Sequence, residues 1–67
     1  MREYSNSEIT HIINEYVHSK RDREILLSCF VDGITHENIA EAVDLSPRRV
    51  SKIISDYSII IERHLST

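Results

Sequence analysis

Gly33 and Pro47 are the only glycine and the only proline in a chain of 67 residues. An all-β domain needs many tight turns, which depend heavily on these two residue types. Isoleucine, leucine and valine recur at spacings of three and four residues, the spacing of one face of an α-helix. The sequence therefore predicts an all-α fold in which residues 1–67 form a single domain, a small four-helix bundle.

Capping residues and apolar spacing locate the four helices. Ser5 or Ser7 is a suitable N-cap for the first helix, and Thr35 is a suitable N-cap for the third. Residues 18–21 are predicted to form a polar link, and Gly33 is expected to end the second helix in a left-handed conformation. The predicted spans are about 7–17, 21–32, 36–43 and 47–64.

Two of these helices carry apolar stripes that we expect to face the core. Both stripes follow the helical spacing of three and four residues. In the first helix the stripe consists of Ile9, Ile12, Ile13, Tyr16 and Val17. In the fourth helix it consists of Val50, Ile53, Ile54, Tyr57, Ile60, Ile61 and Leu65.

A chain this short has little room for an enclosed active site. Cys29 lies in an apolar run, where we expect a buried thiol, and neither it nor any serine has a histidine at a spacing typical of nucleophilic catalysis. The histidines show no metal-ligand spacing, and we expect them on the surface. We therefore predict a protein that is not an enzyme and has no cofactor and no metal. The histidines are His11, His18, His36 and His64.

The distribution of hydropathy and charge limits the partners. No apolar run is long enough to cross a bilayer, and the N-terminus lacks the apolar segment of a signal peptide, so we predict a cytoplasmic protein without a membrane partner. The net charge of −3 counts against a nucleic-acid binder. Residues 46–55, however, contain Arg48, Arg49 and Lys52 and no acidic residue. Such a local basic face on an acidic body can bind phosphate.

The third helix, the short turn and the fourth helix together match a helix-turn-helix unit at about 36–55. The small residue Ala40 allows the two helices to cross closely, and Asp44 stands at the turn, where it tolerates a left-handed backbone. Ser46 caps the fourth helix, whose first turns would face the major groove of double-stranded DNA. The residues on that outer face are Pro47, Arg48, Ser51, Lys52 and Ser55.

Residues 23–54, REILLSCFVDGITHENIAEAVDLSPRRVSKII, resemble the promoter-binding C-terminal domain of bacterial sigma factors, region four, and the helix-turn-helix domains of LuxR-type regulators. The resemblance implies a four-helix bundle whose fourth helix enters the major groove. It also implies that Arg48, Ser51 and Lys52 meet base edges. Phosphates would meet Arg49 and the helix start at Thr35 and His36. The full predicted DNA-binding set is Thr35, His36, Ser46, Pro47, Arg48, Arg49, Ser51, Lys52 and Ser55.

Two further partners remain open. Sigma-like domains also bind RNA polymerase or regulatory proteins, so the alternative function is a protein-interaction module that binds no DNA. A homodimer would double the DNA site, and LuxR-type domains pair through their last helix. Ile59 lies off the inward stripe of the fourth helix, so we predict a dimer interface centred on Ile59 with Arg63 at its rim. The first helix, with Ile9 and Ile13, is the alternative surface.

Overall fold

The computed structural model describes residues 5–65, and this part of the chain forms four α-helices and no β-strand. Helices α1 to α4 span, in chain order, Asn6–Tyr16, Lys20–Phe30, His36–Val43 and Pro47–Leu65. The predicted all-α fold is confirmed, and every predicted boundary lies within two residues of the observed one. None of these four helices combines the length and hydropathy that crossing a bilayer requires.

Each helix begins directly after a serine or threonine whose hydroxyl accepts a hydrogen bond from the backbone amide three residues later. The distances are 3.1 Å for Ser5, 3.4 Å for Ser19, and 3.2 Å for both Thr35 and Ser46. Ser5, rather than Ser7, therefore caps α1. The predicted polar link is too long, because Ser19 is the N-cap of α2 and the helix starts at the next residue.

The two predicted left-handed residues are confirmed. Gly33 has a φ of 69° after α2, and Asp44 has a φ of 59° between α3 and α4. Helix α2 ends at Phe30, two residues before the predicted end. The reason is that the amide of Asp32 donates to the carbonyl of Leu27 at 3.2 Å, which leaves the i to i−4 pattern and starts the turn.

Helices α2 and α4 form the centre of the bundle. Helices α1 and α3 each pack against both of them and do not contact each other. Four side chains, Ile13, Ile25, Leu26 and Val50, have no exposed surface and come from α1, α2 and α4. The remaining buried hydrophobic residues are Ile12, Val17, Ile39, Ala40, Ile54, Ile61 and Leu65.

Two residues of the predicted apolar stripes are exposed, Tyr16 and Ile60. Ile60 is 38% exposed, because it lies about 100° around α4 from the buried Ile61 and so reaches only the edge of the stripe. Tyr16 is 44% exposed because it is the last residue of α1. Its ring stacks on His64 of α4, with centroids 3.8 Å apart and planes inclined by 9°. Tyr16 therefore contacts α4 at the surface of the bundle and not in the core.

Candidate nucleic-acid interface

The joint between α3 and α4 has the close packing that a helix-turn-helix requires. Ala40 and Ile39 on α3 are each 2% exposed, and Val50 on α4 is fully buried. The amide of Leu45 donates to the carbonyl of Ala40 at 3.0 Å, so the turn folds back tightly at the left-handed Asp44. These contacts fix the direction in which α4 leaves the turn.

The start of α4 is exposed and basic. Ser46, Pro47, Arg48 and Arg49 are all exposed, and the first turn contains no acidic residue. Within residues 5–65, neither arginine forms an ion pair. The unpaired backbone amides of a helix N-terminus add partial positive charge, so this end of α4 is suited to a polyanion.

One turn further along α4, the basic character continues on the same exposed side. Lys52 and Ser55 are exposed. The amine of Lys52 lies 3.7 Å from a carboxylate oxygen of Asp56, and both side chains are largely in solvent. Such an exposed pair is weak, so Lys52 can exchange Asp56 for another anion at little cost.

His36 and Ser51 lie elsewhere than the sequence predicted. The Nδ1 atom of His36 is 2.8 Å from the hydroxyl oxygen of Ser51, and its Nε2 atom is 3.8 Å from the sulfur of Cys29. All three residues are half-buried. The prediction of a surface His36 and an outward Ser51 is therefore corrected: position 51 turns toward α3, and the contact joins α2, α3 and α4 internally.

Cys29, predicted to be a buried thiol, is half-buried. Burial raises the pKa of its thiol, which favours the neutral form.

Thr35 is exposed and caps α3, so it lies at the surface, where the start of a helix can bind a phosphate.

A cluster that the sequence did not predict lies between α2 and α4. The hydroxyl of Tyr57 donates to one carboxylate oxygen of Asp22 at 3.1 Å. The Nε and Nη2 atoms of Arg21 each lie 3.4 Å from the other oxygen. Asp22 is 9% exposed, although acidic residues are seldom buried without partners. The pKa of Tyr57 is raised, mainly by partial burial and then by the hydrogen bond to Asp22 and the negative charge of Asp22. The phenol of Tyr57 therefore keeps its proton and donates the hydrogen bond to Asp22.

This cluster forms one wall of a surface cleft with a volume of about 410 Å³. The cleft is lined by Arg21, Asp22, Arg49, Lys52, Ile53, Asp56 and Tyr57. Two of these residues, Arg49 and Lys52, belong to the predicted DNA-binding set. No local spacing could have revealed the cleft, because Asp22 and Tyr57 are 35 residues apart in the sequence.

Comparison with known proteins gives one match. The model of the family described as sigma-70, region 4 matches residues 19–56, which is more than half of the chain. The matched segment begins at the N-cap of α2 and includes α3, the turn and the exposed start of α4. No curated protein and no solved structure matches the chain.

Proposed function

The chain belongs to the sigma-70 region 4 family, a family of DNA-binding helix-turn-helix domains, and on this premise we propose that it is a sequence-specific transcriptional regulator. In this proposal residues 1–67 act as one domain, and α4 lies in the major groove of double-stranded DNA. The observation that carries the proposal is the exposed, acid-free start of α4, held at a fixed angle by the buried joint with α3.

The exposed residues divide into base-reading and phosphate-binding roles. Arg48 and Lys52 extend from the first turns of α4 and would contact base edges. Arg49 and Thr35 would contact phosphates. The remaining surface positions at the start of α4, which would lie along the groove, are Ser46, Pro47 and Ser55.

His36 and Ser51 take a different role in this proposal. Both were predicted to contact DNA, but their side chains face each other between α3 and α4. A hydrogen bond at this place restrains the rotation of α4 against α3. We infer that the pair aims the recognition helix instead of touching the DNA itself.

Binding to duplex DNA as a function of salt tests the proposal. Fluorescence anisotropy with a labelled random duplex should show affinity that falls with salt, with a log–log slope of about −0.9 for each phosphate contacted. Selection of bound sites from random DNA should then enrich one sequence. An absence of binding at low salt would contradict the proposal and favour the alternative, a protein-interaction module. Domains of this family also bind RNA polymerase, which makes the polymerase the first partner to test.

We also propose a homodimer that forms through the C-terminal half of α4. Ile59 is 61% exposed and the adjacent Ile60 is 38% exposed, so the two form an apolar surface on this end of the helix. Arg63 is exposed one turn further and would lie at the rim. A two-fold pair would present two copies of α4 to DNA and double the length of the site.

Sedimentation equilibrium at micromolar concentration checks the dimer. Wild-type protein should show a mass above that of the monomer, and Ile59→Glu should reduce it to the monomer mass, because a charge would be buried unpaired at the centre of the interface. Ile34→Glu is the matched control, since Ile34 is also exposed, at 39%, but lies between α2 and α3. A monomeric wild-type protein would contradict the dimer and leave the DNA-binding proposal intact.

A further inference from the structure

The cleft between α2 and α4 gathers positive charge from two separate helices. Arg21 comes from the first turn of α2, and Arg49 and Lys52 come from the first two turns of α4. The whole chain has eight lysine and arginine residues and a net charge of −3, so three cations around one cleft are a marked local concentration. Local charge of this kind points to an anionic ligand.

The charge balance of the cleft fits one anionic group. Asp22 and Asp56 also line the cleft. The carboxylate of Asp22 is neutralised by Arg21 at 3.4 Å, and Asp56 forms its exposed pair with Lys52 at 3.7 Å. Arg49 has no acidic partner within the described residues. The cleft therefore has an excess of about one positive charge, which matches the single negative charge of a phosphodiester.

Arg21 is held in a defined position. The hydroxyl of Tyr57 donates to buried Asp22, and the other oxygen of Asp22 accepts from Nε and Nη2 of Arg21. A guanidinium has five N–H donors, so this contact leaves others available for a ligand. The side chain of Arg21 is 48% exposed, and these remaining donors can reach solvent at the mouth of the cleft.

We propose that this cleft binds a backbone phosphate of the DNA beside the recognition helix, with Arg21 and Arg49 as the phosphate ligands. Asp22 and Tyr57 are positioning residues that orient the guanidinium. The inference rests on the proposed function, because the cleft adjoins, at Lys52, the exposed face of α4 that would enter the major groove. It adds a contact from α2, outside the helix-turn-helix unit and outside the predicted DNA-binding set.

Removal of Arg21 tests the contact. Arg21→Ala should lower DNA affinity several-fold at low salt and reduce the salt slope by about 0.9, the value expected for one lost phosphate. Lys20→Ala is the matched control, because Lys20 is exposed, carries the same charge and does not line the cleft. The control should keep the wild-type slope. Equal slopes for the two variants would overturn the proposal.

A double-mutant cycle tests the positioning role of Tyr57. Tyr57→Phe removes only the hydroxyl and should weaken DNA binding in the wild-type background. In the Arg21→Ala background the same change should have no effect on affinity, because the guanidinium that it orients is gone. A merely structural role would weaken binding equally in both backgrounds and would overturn the assignment. Asp22→Asn provides a second variant if Tyr57→Phe lowers the fraction of folded protein.

The outcomes separate this inference from the proposed function. If wild-type protein binds DNA and Arg48→Ala weakens it, but Arg21→Ala binds like Lys20→Ala, the cleft proposal fails and the function stands. If wild-type protein binds no DNA, the proposed function fails and this inference fails with it. A titration with inorganic phosphate at constant ionic strength shows whether the cleft binds free phosphate or a phosphate of the DNA backbone. Binding of inorganic phosphate that depends on Arg21, without any effect of Arg21→Ala on DNA, would also overturn the inference.

Discussion

Leu26→Ala is expected to lower the free energy of unfolding by about 2–5 kcal/mol, the range for large-to-small substitutions in a core. Leu26 has no exposed surface and lies on α2, which contacts all three other helices. Truncation to alanine leaves a cavity that the neighbouring side chains cannot fully close. The loss therefore affects the packing of the entire bundle and not one helix alone.

The expected loss is large compared with the stability of so small a domain. At about 0.05–0.15 kcal/mol per residue, a chain of 67 residues has a free energy of unfolding of roughly 3–10 kcal/mol. Urea denaturation followed by circular dichroism measures the change. Leu27→Ala is the control, since Leu27 is adjacent but only partly buried, and it should lose less. A loss below about 1 kcal/mol for Leu26→Ala would contradict the assignment of this residue to the core.

The local parts of the fold could be predicted from the sequence because their determinants are close in the chain. A cap such as Thr35 or Ser46 acts on an amide three residues later. The left-handed turn at Asp44 depends on one residue type at one position. The N-cap and the left-handed turn residue can both be recognised from the local sequence, and they mark the two ends of α3. The bounds of α3 were therefore predicted without error.

The contacts between helices could not be predicted in the same way. His36 contacts Ser51 across 15 residues of sequence, and Asp22 contacts Tyr57 across 35. A helical wheel shows that position 51 lies beside the buried Val50, but it cannot show whether α3 covers that side. The same reasoning could not distinguish a buried aspartate from the acidic surface residues around it. The predicted outward face of α4 therefore wrongly included Ser51, and the cleft was not predicted at all.

Arg48→Ala is expected to weaken binding to the selected DNA site by about 1–3 kcal/mol, or roughly 5- to 150-fold, if Arg48 reads a base. The fold should be unchanged, because Arg48 is exposed and forms no ion pair within the described residues. A base-reading arginine contributes mainly to the specific complex. Binding to random duplex should therefore fall less than binding to the selected site, and the ratio of the two affinities should decrease.

Competition anisotropy with the selected site and a random duplex measures both affinities for Arg48→Ala. Lys20→Ala is the control for the loss of one positive charge, because Lys20 is exposed on α2 and far in sequence from α4. It should leave the ratio of affinities unchanged. A phosphate-binding residue would instead lower both affinities by the same factor and reduce the salt slope. If Arg48→Ala and Lys52→Ala each retain wild-type affinity and wild-type specificity, then the start of α4 is not the recognition surface, and the exposed basic face has another partner.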